Sequence, residues 1–287
     1  MSVDMLQKRI RKDKCPIVIE LGVTPDNIPP HLLTQEGSYV KAHHRFCTEL
    51  LEGLKGSVSA IRFRLAHFSL MGLEGMTSLF SLMEQAKKDY YIILDGPDSL
   101  TPELAQFASE TALNWQCDAL IVSPYIGSDS VKPFLHKLKQ NDKALFITLR
   151  TPNKSASEIQ DLMTGSRLVH FAAADIANRL GEELIGRSGY SQIAGVASAN
   201  ASDSLRQIRT KYNRLFLLVD GYDCANANAK NCSFAFDRLG HGAAVCAGSG
   251  VTAAWVLADD NGENFVQLAV EATERMKKNL LRYITIL

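Results

Sequence analysis

The sequence has no excess of charge of either sign and no long apolar run. Its 31 Lys and Arg residues balance 31 Asp and Glu residues, so the formal net charge at pH 7 is zero. A neutral chain has no global basic field to attract nucleic acid or an anionic membrane, and we expect neither as a partner. The apolar runs are far shorter than a membrane span, and the charged N-terminal stretch MSVDMLQKRIRKDK has no apolar signal-peptide core. We therefore expect a soluble, cytoplasmic protein.

Patterns that would indicate a disulfide framework or a metal site are also absent from the sequence. The six cysteines form no C-x-x-C pair, which is typical of core residues in a reducing cytoplasm. Cys246 ends an apolar run with no histidine beside it, which indicates a core residue instead of a nucleophile. His43 and His44 precede the helical pattern RFCTELLEGL without a third ligand at suitable spacing. We interpret them as a solvated helix start and predict no metal.

Short apolar runs recur along the chain and alternate with segments of helical spacing. The runs are rich in Val, Ile and Leu with little polar alternation, which is typical of parallel strands buried on both faces. They number eight and cover residues 15–22, 58–63, 90–95, 117–123, 143–149, 191–198, 214–220 and 243–248. Helical spacing appears over 75–88, 101–115, 166–186 and about 260–282, with cap signals in TPEL (101–104) and SASEIQ (155–160). This alternation predicts a single (β/α)₈ TIM barrel and one domain over residues 1–287.

In such a barrel the active site lies at the carboxyl ends of the strands. The most unusual of these ends is DGPD, in which Asp95 closes an apolar run and Asp98 follows two residues beyond Gly96. Two adjacent carboxylates are typical of catalytic acids, yet nothing between them can donate a proton. The alternative is a turn in which the aspartates cap backbone amides and Pro97 stiffens the loop.

Several of these strand ends together resemble one known family. DALIVSPYIGSDSVKPFL (118–135), LRTPNKSASEIQDL (149–162) and LFLLVDGYDCANA (215–227) resemble, in order and spacing, the longer bacterial form of orotidine 5′-phosphate decarboxylase. IELGVTPDNIPPHLL (19–33) and GSG (248–250) fall where that family has its first-strand and last-strand motifs. The resemblance implies a barrel homodimer that converts orotidylate to uridylate without a metal or an organic cofactor.

The catalytic motifs depart from that family. Its reaction leaves electron density on a ring carbon, which a cation must stabilise and protonate. The family supplies a lysine within Asp-x-Lys-x-x-Asp. Here Asp95 matches the first aspartate and Asp98 the second, but the lysine position falls on Pro97 or in a gap. By the same resemblance, Arg62 replaces a lysine after the second strand and Thr24 replaces an aspartate after the first.

The substrate-binding motifs depart as well. The family's Thr-Ser-Asn corresponds to Thr151-Pro152-Asn153, and its Pro-Gly-x-Gly-Ala-Gln corresponds to a segment that contains Asp220, Gly221 and Asp223. Its Ser-Arg-Gly, whose arginine clamps phosphate, corresponds to Gly248-Ser249-Gly250. This glycine-rich segment either binds an anion through its backbone amides or forms a simple tight turn.

We therefore expect a member of this family whose decarboxylation is weak or lost, with Asp95, Asp98 and Arg62 at the former catalytic positions. The implied ligand is a nucleotide monophosphate, orotidylate or uridylate. One alternative is an active decarboxylase in which Arg62, Arg64 or His67 supplies the cation. The other is a non-catalytic protein that binds a nucleotide or a protein partner.

Overall fold

Eight parallel strands close into a barrel. In the computed structural model, which describes residues 1–98 and 100–287 with position 141 described by its backbone alone, the chain forms ten strands. They are β1 (Ile17–Leu21), β2 (Ala60–Arg64), β3 (Tyr91–Asp95), β4 (Ala119–Val122), β5 (Ala144–Thr148), β6 (Met163–Thr164), β7 (Arg167–Leu168), β8 (Ile193–Ser198), β9 (Leu217–Asp220) and β10 (Ala243–Ala247). The barrel order is β1-β2-β3-β4-β5-β8-β9-β10, with β10 pairing back to β1. The predicted (β/α)₈ barrel is confirmed, and each barrel strand lies within its predicted run except β2, which ends one residue later, at Arg64.

Helices cover the outside of the barrel. They are α1 (Ser2–Asp13), α2 (Pro30–Glu36), α3 (Tyr39–Gly53), α4 (Leu65–Ser69), α5 (Gly72–Ala86), α6 (Pro102–Thr111), α7 (Phe134–Asn141), α8 (Val169–Gly181), α9 (Ser202–Lys211), α10 (Ala229–Ser233), α11 (Ser249–Thr252), α12 (Ala254–Leu257) and α13 (Phe265–Leu281). The cap predicted for α6 is present, because the Thr101 hydroxyl accepts a hydrogen bond from the Leu104 amide at 3.4 Å. In the part of the chain that the structure describes, no helix is long and apolar enough to cross a membrane.

Two local predictions were wrong. SASEIQ does not cap a long helix: Lys154–Glu158 is a short 3₁₀ turn without a side-chain cap, and the antiparallel pair β6 and β7 follows it. His43 does not lie at a solvated helix start, because α3 begins at Tyr39 and His43 is fully buried.

The register of the barrel brings charged side chains to one level at its carboxyl end. Glu20 of β1 is the pairing partner of Arg62 in β2, and Arg64 of β2 is the partner of Asp95 in β3. Asp220 ends β9, which only β10 separates from β1. Because side chains alternate along each strand, Arg62 and Arg64 share one face and form successive layers. The register therefore places these charges around the barrel mouth, above an apolar core.

Candidate active site

The carboxyl ends of the strands surround a cavity of about 600 Å³. Its lining includes eight of the ten residues that the sequence predicted for the site, namely Arg62, Asp95, Asp98, Thr151, Asn153, Gly221, Gly248 and Ser249. A ninth, Gly250, follows Ser249 in the same loop. The structure therefore brings nearly all of the predicted residues to one place.

The first strand contributes a different residue from the predicted one. Thr24 is exposed, precedes a 3₁₀ turn at Pro25–Asn27 and is not among the residues that line the cavity. Glu20, inside β1, lines the cavity instead. Sequence reasoning missed Glu20 because it lies within the apolar run CPIVIELG. The available signal was the charge itself, since an acidic residue within a buried strand requires a partner.

Arg62 is buried beneath the cavity and is held by three carboxylates. Its Nη1 atom donates to Asp220 Oδ2 at 2.9 Å and lies 3.2 Å from Glu20 Oε2. Its Nε atom donates to Asp95 Oδ2 at 3.1 Å, and its Nη2 atom donates to the same oxygen. Only 4% of the Arg62 side chain is exposed. The guanidinium is therefore the centre of a buried ion cluster instead of a free cation.

Electrostatics fix the charge of Arg62. Burial alone would lower its pKa, but the negative charges of Asp220, Asp95 and Glu20 outweigh burial and raise the pKa well above the ordinary value. A group with so high a pKa does not release a proton near neutral pH. Arg62 is thus unsuited to protonate a carbanion.

The two other cations considered from the sequence, Arg64 and His67, are not free cations either. Arg64 is 44% exposed, and its Nη2 atom donates to Glu20 Oε2 at 2.8 Å. His67 lies in α4, where burial lowers its pKa, and its Nε2 atom is 3.4 Å from the Tyr39 hydroxyl. His67 is therefore neutral near pH 7 and supplies no cation there.

Negative charge dominates the described lining of the cavity. Five carboxylates, from Glu20, Asp95, Asp98, Asp220 and Asp223, face only the two guanidinium groups of Arg62 and Arg64, and no lysine is among the described lining residues. Burial and the neighbouring Asp95 raise the pKa of Asp98. This excess of carboxylates opposes the entry of a ligand with several negative charges.

The loop after β5 satisfies its own polar groups. The Thr151 hydroxyl donates to Asn153 Oδ1 at 2.6 Å, and Gln160 Oε1 accepts from the Thr151 amide at 2.8 Å. Asn200 Nδ2 donates to the Pro152 carbonyl at 2.8 Å. Gln160, which the sequence suggested as part of a helix start, instead clamps this loop. Thr151 and Asn153 therefore line the cavity with hydrogen bonds already made to one another.

Two backbone amides of the loop after β10 are also occupied. The Gly248 amide donates to Asp223 Oδ2 at 2.8 Å, and the Gly250 amide donates to the same oxygen at 3.2 Å. The sequence left open whether this segment cradles an anion or is a simple turn. Its amides do hold an anion, and that anion is a carboxylate of the same chain.

The described residues contain no group of three or more His, Cys, Asp and Glu side chains arranged to hold a metal ion. Cys246 lies at the base of the cavity with its Sγ atom 3.8 Å from Arg62 Nη1. Burial raises the pKa of its thiol well above the usual value, so it is not poised as a nucleophile.

Comparison with known proteins gives one consistent relationship. No family model matches the chain. A curated orotidine 5′-phosphate decarboxylase of Clostridium novyi is 25% identical over 290 residues, which cover 98% of this chain and 99% of that protein.

Solved structures of the same name share the fold. A putative orotidine-monophosphate decarboxylase of Toxoplasma gondii superimposes with a TM-score of 0.80 at 19% identity, over 97% of this chain and 98% of that one. The orotidine 5′-monophosphate decarboxylase of Methanocaldococcus jannaschii, complexed with the inhibitor BMP, gives a TM-score of 0.60 at 14% identity, over 91% of this chain and 97% of that one.

Proposed function

We propose that this chain, which belongs to the orotidine 5′-phosphate decarboxylase family, has lost most or all orotidylate decarboxylation and keeps the barrel for another role. The observation that carries the proposal is the state of Arg62. Glu20, Asp95 and Asp220 surround its guanidinium, and no lysine is among the described residues that line the cavity.

The chemistry explains why this arrangement supports the loss of activity. Removing carbon dioxide from the pyrimidine ring leaves an electron pair on carbon, so the transition state needs an adjacent positive charge, and the product needs a proton. Asp95 and Asp98 are present at the proposed former catalytic positions, but a carboxylate repels that electron pair. Arg62 neutralises carboxylates instead of facing the cavity as a free donor. Loss of groups that act together typically costs several powers of ten in rate.

The same site argues against tight binding of the nucleotide. The relative from Methanocaldococcus jannaschii binds the inhibitor BMP. In this chain the predicted substrate-binding residues Thr151 and Asn153 bond within their own loop, Gly248 and Gly250 bond to Asp223 of the neighbouring loop, and the mouth carries excess negative charge. We therefore propose that orotidylate and uridylate bind weakly, with Gly221 and Ser249 at the former phosphate end.

We also propose that residues 1–287 form one domain, that the protein works in the cytoplasm without a cofactor, and that it forms a homodimer. Support for the dimer comes from exposed apolar side chains at the mouth end. Leu104 and Phe107 of α6 are 51% and 66% exposed, and Tyr125 and Ile126, after β4, are 80% and 45% exposed. An exposed apolar patch of this kind marks an interaction surface.

The test is decarboxylation of orotidylate, followed by ultraviolet absorbance, with protein purified from a host that lacks its own enzyme. The Clostridium novyi relative, prepared in the same way, shows that the assay detects turnover. We expect the relative to turn over orotidylate and this chain to give no rate above buffer. An enzyme-like rate that Asp95→Ala abolishes would contradict the proposal.

If turnover were seen, Arg64→Gln and His67→Gln would locate the replacement cation, because only the variant that removes it should lose the rate. Titration with uridylate separates the two non-catalytic roles. Saturable binding without turnover would indicate a nucleotide-binding protein, whereas absence of binding favours a role through a protein partner.

A further inference from the structure

The turn after β9 carries Asp223 across to the neighbouring loop. Gly221 has a φ angle of 79°, a left-handed conformation that glycine adopts at little cost. Its amide donates to Asp220 Oδ1 at 2.8 Å, and its carbonyl accepts from the Cys224 amide at 3.0 Å. These bonds fix the backbone of the turn that carries Asp223, independently of the contacts of the Asp223 side chain.

The loop after β10 is shaped to receive that side chain. A Cβ atom on Gly250 would lie 2.2 Å from Asp223 Oδ1, so only glycine allows the carboxylate to approach the backbone this closely. The Gly248 and Gly250 amides both donate to Asp223 Oδ2. Asp223, which itself lines the cavity, therefore lies directly over two backbone donors.

We propose that Asp223 is a specificity-determining residue that excludes phosphate esters from this cavity, because its carboxylate occupies the backbone donors that a phosphate would need. The proposal deepens the proposed function, since it identifies which residue prevents the family's phosphorylated ligand from binding. It also states a property of any other ligand of the cavity: that ligand lacks a phosphate.

Two physical effects favour Asp223 over an external anion. Hydrogen bonds from amides to a charged acceptor are stronger than those to a neutral one, and Asp223 makes two. Asp223 is also tethered, so it competes as a group at high effective concentration, whereas a ligand pays the full cost of association. A phosphate would further meet the nearby carboxylates of Asp220 and Glu20, which line the same cavity.

The test introduces an arginine that can bind phosphate and measures whether Asp223 prevents the expected gain in affinity. Ser249 is exposed between the two glycines, so Ser249→Arg adds a forked cation that matches phosphate geometry. Binding of uridylate and of inorganic phosphate is measured by calorimetry for the unmodified protein, Ser249→Arg, Asp223→Ala and the double variant. We expect the double variant to bind uridylate at least ten times more tightly than Ser249→Arg alone, because in the single variant Asp223 still covers the amides and also pairs with the new arginine.

Matched controls separate this effect from a general change in the cavity. Uridine, which lacks the phosphate, should bind the double variant and Ser249→Arg equally. Asp223→Asn keeps a side-chain oxygen over the amides without the charge, so combined with Ser249→Arg it should bind uridylate with intermediate affinity. This variant also serves if Asp223→Ala does not fold, as judged by circular dichroism.

Equal affinity of Ser249→Arg and the double variant for uridylate would overturn the proposal. So would a double variant that binds uridylate no more tightly than the unmodified protein. Both outcomes are independent of the decarboxylation assay on the unmodified protein. That assay alone decides whether activity has been lost.

Discussion

At the scale of single residues, Arg62 decides how the charges at the barrel mouth are arranged. A lysine ammonium presents one compact charge, whereas the planar guanidinium of Arg62 reaches Asp95, Asp220 and Glu20 at the same time. Those contacts occupy the donors of the cation and stabilise three carboxylates that are largely shielded from water. We infer that Arg62 now acts in stability.

Replacing Arg62 tests that role. Arg62→Met keeps much of the side-chain volume but leaves three carboxylates without their shared partner, so we expect the free energy of unfolding to fall by about 3–5 kcal/mol. The matched control is Arg64→Met: the Arg64 side chain is 44% exposed, against 4% for Arg62, so its loss should cost less than about 1 kcal/mol. Urea unfolding at pH 7 measures both. Similar losses in the two variants would show that the Arg62 cluster is not a stabilising centre.

The sequence indicated part of this arrangement. It placed Arg62 and Asp95 together at the former catalytic positions, and the structure shows that the two side chains pair. It did not predict Glu20 as a third partner or Asp223 as the occupant of the GSG loop. Both contacts join residues far apart in the chain, 42 positions for Glu20 and Arg62, and depend on barrel register, which a local pattern does not encode.

At the scale of elements, strands were predicted better than turns. The eight apolar runs were sufficient because burial on both faces leaves a strong signal within each segment. The helix start predicted at 155–160 was wrong because Gln160, at the end of that segment, bonds to residues outside it. Gln160 clamps Thr151, and its carbonyl accepts from the His170 amide. Helix α3 begins at Tyr39, several residues before its predicted start, so His43 lies on the buried face of the helix and not at its solvated end.

The buried position of His43 in α3 makes stability depend on pH. It packs edge-on against Phe68 with ring centroids 5.3 Å apart, and its ring lies 5.0 Å from that of His67. Burial, with smaller effects from His67 and His44, lowers the pKa of His43 to about 3. In the unfolded chain a histidine has a pKa of about 6.5, so the unfolded state binds more protons at every pH between these values. The stability that the neutral His43 contributes is therefore fully present above about pH 6.5 and is lost progressively as the pH falls below that value.

We expect His43 alone to lower the free energy of unfolding by about 2 kcal/mol between pH 8 and pH 5. His43→Gln should be less stable at pH 8 but should lose about 2 kcal/mol less over that interval. Urea unfolding at several pH values measures both profiles, with exposed His136→Gln as the control that should follow the unmodified protein. Parallel profiles for His43→Gln and the unmodified protein would contradict a buried, neutral His43.

At the scale of the whole molecule, the closed barrel restricts association with another chain to the helices and loops on its outside. Every barrel strand is paired on both sides, so no barrel strand edge is available to another chain. Apolar side chains exposed on α6 and after β4 lie beside the mouth. The resemblance of the sequence implied a homodimer, and a surface of this kind is one that two copies can share about a twofold axis.

The dimer is tested by placing charge in that surface. Phe107→Glu and Tyr125→Glu each put a carboxylate where an apolar side chain would be buried, so we expect either variant to sediment as a monomer at micromolar concentration while the unmodified protein sediments as a dimer. Leu287→Glu is the matched control: Leu287 is also exposed, but its amide bonds to the Leu239 carbonyl in the segment that precedes β10, at the opposite end of the barrel. It should leave the dimer intact. If all three variants remain dimeric with an unchanged far-ultraviolet spectrum, two copies associate through some other face, and the mouth of the barrel stays open to a ligand or to a different protein.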